Sequence, residues 1–308
     1  MGFRIWSVWD PSQLEADFAP RIESCSQELL LTDFTDEAGL REVIVSTVER
    51  AGIDVVMHCG YGSSVRPVVE EAWRLGRSPN PPEVYERLAA RSGTVRVPPE
   101  APRVSVQAVT VNGTHHVVGM TAHRTTGPPH FRLTGYLQPA PLTDHEQKTI
   151  GEVVADELMT SGYRSGPSVT EVVLLPEGPQ IVSVRPHLGV DRIPLLIEGS
   201  CGFDLEEAVF SGLQGGHPLV PDASRYAELG FFLLPEGLLE TYTGMEDIAV
   251  TPWVRGVRFP YQVGDRIAPA DDVRARRAYV AVVGDTPEIT QERIARARQD
   301  LVAGIRPV

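Results

Sequence analysis

Residues 170–185 read TEVVLLPEGPQIVSVR, two extended runs that predict a β-hairpin with PEGPQ as its turn. Side chains alternate between the two faces of a strand, so Ser183, Arg185 and the following His187 should share one face. With this turn Glu171 lies opposite Arg185, and we expect an ion pair between them. The hairpin therefore predicts a sheet with one apolar face and one face that carries chemically active groups.

Polar residues follow the second strand of this hairpin. Pro186 cannot donate a ladder hydrogen bond, so the strand should end there or lie at a sheet edge. Arg185, His187, Asp191 and Arg192 would then line an opening at the end of the strand. This opening is the first candidate binding site.

The sequence around this hairpin predicts a mainly antiparallel sheet. Residues 103–121, RVSVQAVTVNGTHHVVGMT, predict another hairpin that turns at Asn112-Gly113. Thr143 and Glu146 form a capping-box pattern, which predicts the start of a helix. Short alternating strands and a final helix complete the C-terminal part of the chain.

Residues 1–90 follow a different order, strand–helix–strand–helix, which predicts a small α/β layer. The predicted elements are a strand over 3–8, a helix over 36–52, a buried strand over 53–58 and a helix over 65–75. The stretch CGYGSSVRP, residues 59–67, could cradle a phosphate, but the dinucleotide fingerprint and the Walker lysine are absent. A tight structural turn is the interpretation we prefer for this stretch.

Composition and charge exclude several classes of partner. The 308 residues carry a net charge of −13 with no basic run, so we expect neither a nucleic-acid nor an anionic-membrane partner. The three cysteines form no C-x-x-C pair and the eight histidines show no metal spacing, so we expect no metal site. We find no apolar signal core and no membrane-spanning run, and we expect a cytoplasmic protein.

Three stretches of the chain, taken in order, resemble one superfamily of enzymes. They are residues 51–88, then residues 104–123 and 128–142 with the later hairpin that ends SVRPHLGVDRIPLL, and finally residues 230–239, 254–269 and 278–297. They resemble the pre-grasp domain, the core sheet and the C-terminal portion of the ATP-grasp superfamily, in particular its carboxylate–amine ligases for amino acids. The resemblance implies an α/β fold, with a Rossmann-like pre-grasp domain over residues 1–90 and an ATP-grasp core with a mainly antiparallel sheet over 104–308.

The family places a lysine-bearing subdomain, which clamps ATP, between the pre-grasp domain and the core sheet. Only a shortened junction, residues 91–103, stands in that place here. We therefore expect the nucleotide lid to be absent.

The resemblance also implies where the family's metal ligands would lie. Glu171 matches the first metal-binding glutamate, whereas Ser183 replaces the second glutamate and Arg185 replaces the asparagine. His187 stands in place of the family's arginine. One carboxylate rarely holds Mg²⁺ alone, and Arg185 would add a positive charge where the ion would sit. We therefore expect no bound metal, no cofactor and no ATP-dependent ligation.

Two further family positions differ near the start of the core sheet. Arg103 stands where the family has a glutamate. His123, followed by Arg124, stands where the family has a lysine after the second strand. Both changes alter the charges expected around a nucleotide.

The first functional hypothesis is an ATP-independent descendant of a carboxylate–amine ligase that binds or converts a small carboxylate or amino-acid-like metabolite. The candidate ligand-binding residues are Arg185, Arg192, Ser183, Arg124 and Arg103. The candidate catalytic residues are His187 and His123, as proton carriers, and Glu171, which would orient Arg185.

Lys148 is the only lysine, which is typical of a high-GC, actinobacterial-type composition, and we expect a role in bacterial specialised metabolism. A non-catalytic scaffold for a partner enzyme and a still-active ATP-grasp ligase are the two alternatives. A deep pocket would favour a ligand, whereas an exposed apolar patch would favour a partner protein. The resemblance also makes a homodimer an expectation.

Overall fold

A computed structural model describes residues 2–14, 19–58, 62, 64–189, 192–270 and 272–307. The chain divides into two compact units, Met1–Arg87 and Leu88–Val308. Within the described ranges, no helix is long and apolar enough to cross a membrane.

The first unit contains a two-stranded parallel sheet. The elements in this part of the chain are β1 (Trp6–Trp9), α1 (Ala19–Cys25), β2 (Glu28–Leu31), α2 (Glu37–Ala51), α3 (Val65–Arg74) and α4 (Pro82–Ala90). The predicted helix over residues 36–52 is confirmed as α2. The Asp36 side chain caps its start by accepting the Gly39 N–H at 3.0 Å, and Gly52 ends it with a φ of 64°.

The predicted buried strand over residues 53–58 is wrong, because none of these residues belongs to a strand. Ile53 and Val56 pack against the apolar stripe of α2 without joining a sheet, which accounts for the apolar pattern of the segment. The sheet partner of β1 is β2, which directly follows the short helix α1. In the stretch CGYGSSVRP, residues 59–61 and 63 lie outside the described residues.

An eight-stranded sheet dominates the second unit. Its strands are β3 (Arg103–Val111), β4 (Thr114–Thr125), β5 (Leu133–Gln138), β6 (Gly166–Leu175), β7 (Gly178–Arg185), β8 (Tyr226–Phe231), β10 (Val254–Arg258) and β12 (Tyr279–Gly284). Their spatial order is β10-β12-β8-β5-β4-β3-β6-β7, and all neighbours are antiparallel. The predicted mainly antiparallel core is confirmed.

Local sequence signals position the central strands of this sheet. Asn112 and Gly113, with φ values of 50° and 83°, form the predicted turn between β3 and β4. Positive φ at both central residues is what a type I′ hairpin turn requires. Thr143 and Glu146 form the predicted capping box at the start of α5 (Asp144–Ser161).

Helices cover both faces of the eight-stranded sheet. On one face, Ile197 of α6 (Ile193–Cys201) packs over Gly119, and α7 (Leu205–Leu213) packs over the far end of β3. On the other face, α9 (Pro287–Asp300) places Thr290 against Glu228, and α5 packs over β4. Both sides of the sheet are therefore partly buried.

A smaller three-stranded sheet completes the second unit. It contains β9 (Gly237–Thr243), β11 (Arg266–Ile267) and β13 (Val302–Arg306), with α8 (Met245–Ala249) and a 3-10 helix over Val273–Arg277 nearby in the chain. Its core joins residues of β9, β12 and α9, among them Leu239, Val280 and Ile294.

The junction between α4 and β3 is short. Residues 91–102, all of which the structure describes, contain turns and bends but no helix or strand.

Candidate functional site

Strands β3, β6 and β7 bring polar residues into one row. Ser105 lies opposite Glu171, and Glu171 lies opposite Ser183. On the other side of β3, Thr121 of β4 lies opposite Ser105. Residues that lie opposite each other point to the same face of a sheet. This row therefore belongs to one face, which we call the site face, and it is the face that α6 and α7 partly cover.

Arg103 and Glu171 form an ion pair on the site face. Arg103 Nη1 lies 3.2 Å from Glu171 Oε1, and the two side chains are 35% and 22% exposed. Arg103 precedes Ser105 by two residues on β3, so it points to the same face. Because a guanidinium stays charged in proteins, the Glu171 carboxylate has a fixed positive partner.

The predicted pairing of Glu171 with Arg185 is wrong. The hairpin turns at residues 176–177, which is shorter than PEGPQ, and β7 has one extra residue, Val182, opposite the step from Glu171 to Val172 on β6. Arg185 therefore lies opposite Val169. The pairing has shifted by two residues, so Arg185 keeps its predicted face but loses its predicted partner.

The position of β7 explains this shift. β7 is the last strand of the sheet, so Pro179 can lie within it with its missing N–H on the outer side. Because Pro179 fits within β7, the turn between β6 and β7 can be as short as residues 176–177. Arg185 is exposed at the end of this edge strand, and no ion-pair partner for it is found in the described part of the chain.

Ser105 and His123 are in hydrogen-bond contact. Ser105 Oγ lies 2.8 Å from His123 Nε2, across the β3–β4 pair. The His123 ring stands edge-on to Tyr136 of β5, with ring centres 5.0 Å apart and planes at 90°. Tyr136 in turn stands edge-on to Phe231. These contacts fix the plane of the imidazole.

The segment after β7 passes over the site face. His187 is 3% exposed, and its Nδ1 accepts the Gly189 N–H at 3.0 Å, so the neutral ring carries its proton on Nε2. A Cβ on Gly189 would lie 3.6 Å from Val169, which shows how closely the segment approaches the sheet. At the end of β7, where the sequence predicts an opening, the His187 side chain is therefore buried. Arg192 is the N-cap of α6 with a φ of 63°, and Asp191 lies outside the described residues.

Arg124 points away from the other candidates. It follows His123 directly on β4, so it lies on the opposite face, and its Nε is 3.4 Å from Glu228 Oε1. Glu228 Oε2 lies 2.6 Å from Thr290 Oγ1. Burial raises the pKa of the Glu228 carboxyl, against the opposing effects of Thr290 and Arg124. Arg124 therefore lies on the face opposite the site face, in a half-buried contact with Glu228, and its ligand-binding role stays a prediction.

Ser105 and Tyr136 were not predicted as site residues. A signal for Ser105 is present in the sequence, because the alternation R-V-S-V-Q puts Arg103, Ser105 and Gln107 on one face. Tyr136 has no such local signal. Its place beside His123 depends on the pairing of β4 with β5.

Comparisons with known proteins agree with this architecture. Residues 230–306 match the family described as L-amino acid ligase C-terminal domain 2. The L-amino acid ligase from Bacillus licheniformis superposes with a TM-score of 0.82 at 15% identity, over 99% of this chain and 93% of that one. Phosphoribosylglycinamide synthetase from Anaerococcus prevotii superposes with a TM-score of 0.73 at 11% identity, over 94% and 91% of the two chains.

The chain has the fold of ATP-grasp ligases. Protein y4rH of Sinorhizobium fredii, itself uncharacterized, is 26% identical to this chain over 266 residues, which is 83% of this chain and 54% of y4rH. The chain thus spans about half the length of this curated relative.

The residues of this ATP-grasp sheet do not fit the Mg²⁺ ion that the fold family implies. Glu171 brings one carboxylate, and its neighbours across the strands are the hydroxyls of Ser105 and Ser183. The Arg103 guanidinium, which has only donors and carries a positive charge, already contacts the carboxylate. Over the described residues, no three His, Cys, Asp or Glu side chains form a group that could hold a metal ion.

Proposed function

We propose that this protein is an ATP-independent descendant of the carboxylate–amine ligases, and that its site face binds a small carboxylate or amino-acid-like metabolite. One observation carries the proposal: Arg103 neutralises Glu171, at the position that the resemblance assigns to the family's first metal carboxylate. A carboxylate that is already paired with a guanidinium attracts a dication weakly.

The short junction supports the same proposal. Residues 91–102 contain no helix or strand, in the place where the family has its ATP-clamping subdomain. We propose that the lid is absent. Loss of a lid and loss of metal ligands would be expected together, because both serve the nucleotide phosphates.

Arg185 is the anion-binding group of this proposal. Its side chain is exposed at the end of β7, on the same face as Ser183 and Glu171. A guanidinium binds a carboxylate through two parallel hydrogen bonds, which favours this class of ligand. Arg192, at the start of α6, would add a second positive group. The lysine-poor composition supports a role in bacterial specialised metabolism, and the resemblance supports a homodimer.

Isothermal calorimetry against ATP, with and without Mg²⁺, tests the loss of nucleotide function. We expect no binding heat with either. Micromolar, Mg²⁺-dependent binding would contradict the proposal and favour a surviving ligase.

A second titration tests the carboxylate site, with succinate, L-glutamate and L-alanine as probes. Arg185→Ala should weaken the binding of any probe that binds by about tenfold or more, since a charge-assisted hydrogen bond contributes roughly 1.5–3 kcal/mol. Arg225→Ala is the matched control, because Arg225 is also exposed and precedes β8, far from β7 in the sheet order. Equal losses of probe affinity in both variants would contradict a site at Arg185. If the wild-type protein binds none of the probes, the scaffold alternative is favoured.

A further inference from the structure

We infer that Ser105 and His123 form a catalytic dyad that transfers or hydrolyses the acyl group of anionic esters or thioesters. The 2.8 Å contact between Ser105 Oγ and His123 Nε2 lies within the distance that a serine nucleophile and its base require, about 2.6–3.2 Å. A serine hydroxyl is a weak nucleophile by itself, and an adjacent imidazole activates it by taking its proton.

The surroundings of His123 suit a base rather than a solvated surface histidine. Tyr136, which is 3% exposed, stands at 90° to the imidazole and limits its rotation. The ring itself is only partly buried, so it can exchange protons with solvent. Both β3 and β4 are central strands, and groups on regular strands keep their relative positions more precisely than groups on loops.

The surroundings of Ser105 suit a nucleophile that is less exposed than its neighbours on the site face. Ser105 is 5% exposed, whereas the neighbouring Arg103 and Glu171 side chains are 35% and 22% exposed. The Arg103 guanidinium also brings a fixed positive charge to the side of the nucleophile. Positive groups at such a place stabilise the oxyanion of a tetrahedral intermediate. Arg185, which is exposed on the same face, favours a substrate that carries its own negative charge.

The reaction balances without a nucleotide or a metal. Ser105 Oγ attacks the carbonyl carbon while its proton passes to His123 Nε2, and the bond from the carbonyl carbon to the alcohol oxygen or thiol sulfur then breaks. The leaving alkoxide or thiolate takes the proton from His123, which leaves an acyl-serine. Water or an amine then attacks the acyl-serine, His123 accepts its proton and returns it to Ser105, and a carboxylic acid or an amide is released.

The inferred dyad lies on the same site face as the proposed carboxylate site. The test of the dyad does not depend on whether the proposed function is correct. Covalent labelling of Ser105 needs neither carboxylate affinity nor the loss of ATP binding. A protein that binds succinate but does not label at Ser105 would contradict the dyad alone, and the opposite result would contradict the carboxylate site alone.

The test is reaction of the intact protein with a fluorophosphonate, followed by intact mass and peptide mapping. We expect one phosphonyl adduct, located on Ser105. Absence of an adduct from the wild-type protein, or an adduct on another serine, would overturn the dyad. This result does not depend on the folding of any variant.

Variants separate the base from the nucleophile. Ser105→Ala should remove the adduct, and His123→Gln should slow its formation by about 10²-fold or more, because general-base catalysis contributes roughly 10²–10⁴-fold. Ser168→Ala is the matched control, since Ser168 is a buried strand serine that points to the opposite face, and its labelling should equal that of the wild type. Equal labelling rates for His123→Gln and the wild type would overturn the role of His123.

The pH profile and substrate charge give a second measurement. The labelling rate of the wild type should rise with pH as the imidazole loses its proton, and the His123→Gln profile should be flat by comparison. Hydrolysis of 4-nitrophenyl hemisuccinate should exceed that of 4-nitrophenyl acetate. The same profile in both proteins would show that Ser105 is only a structural hydrogen-bond partner of His123.

Discussion

The Arg103 guanidinium lies 3.2 Å from the Glu171 carboxylate, across the pairing of the neighbouring strands β3 and β6. Both side chains are partly shielded from water, so we expect them to stabilise each other more than a surface pair does. In a double-mutant cycle of Arg103→Met and Glu171→Gln, measured by urea unfolding, the coupling free energy should be about 0.5–1 kcal/mol.

A cross-strand pair on the small sheet provides the control. Arg306 Nε lies 2.7 Å from Glu240 Oε1, and these side chains are 58% and 52% exposed. Because solvent screens this pair more strongly, its cycle should give about 0–0.5 kcal/mol. A coupling at Arg103–Glu171 that does not exceed the one at Arg306–Glu240 would contradict the shielding that we assign to the site face.

Local signals were sufficient to predict many elements of the fold. The Asn112-Gly113 turn, the Thr143–Glu146 capping box and the helix that begins after Asp36 all depend on residues close in sequence. Each of these patterns has one favoured backbone geometry, so the sequence specifies it directly. The buried strand predicted over residues 53–58 fails for the converse reason, since an apolar run of that length fits a strand and a packed loop equally well.

The site was harder to predict than the elements. Arg103 and Glu171 are 68 residues apart, and their contact depends on β3 lying beside β6, which no local pattern specifies. The register of the β6–β7 hairpin depends on β7 being an edge strand, which tolerates Pro179. Strand alternation alone, in contrast, puts His123 and Arg124 on opposite faces, so the separation of these two residues could have been predicted from the sequence.

The turn between β3 and β4 permits a direct test of backbone conformation. Gly113 has a φ of 83°, and a Cβ added to it would meet no atom within 4 Å. Gly113→Ala should therefore destabilise the protein through its backbone alone, by about 1 kcal/mol in urea unfolding.

Gly127 is the matched control for this substitution. It is also exposed with nothing within 4 Å of its ideal Cβ, but it has no positive φ. Gly127→Ala should change the unfolding free energy by less than about 0.5 kcal/mol. Equal losses of unfolding free energy at the two glycines would show that the left-handed conformation at Gly113 does not cause the destabilisation.

The contact between Thr290 and Glu228 on the opposite face leads to a prediction about pH. Thr290 Oγ1 lies 2.6 Å from Glu228 Oε2 and 2.8 Å from the Pro287 carbonyl oxygen. A hydroxyl has one proton to donate, and the carbonyl can only accept. Thr290 can therefore donate to Glu228 or to Pro287 but not to both at once, so the Glu228 carboxylate shares this hydroxyl with the carbonyl oxygen.

Burial raises the pKa of Glu228 in the folded protein, with Thr290, Arg124 and Arg298 acting in the opposite direction. A carboxyl whose pKa is raised on folding stabilises the protein fully below its unfolded pKa, about 4.3, and loses that contribution as the pH rises through the folded pKa. The side chain in the Glu228→Gln variant is neutral at every pH. The unfolding free energy of the variant should therefore increase relative to that of the wild type as the pH rises above about 4.3. Urea unfolding at a series of pH values measures the difference. Glu152→Gln is the matched control, because Glu152 lies on the exposed side of α5. A pH dependence at Glu228 no larger than the one at Glu152 would contradict the raised pKa of Glu228.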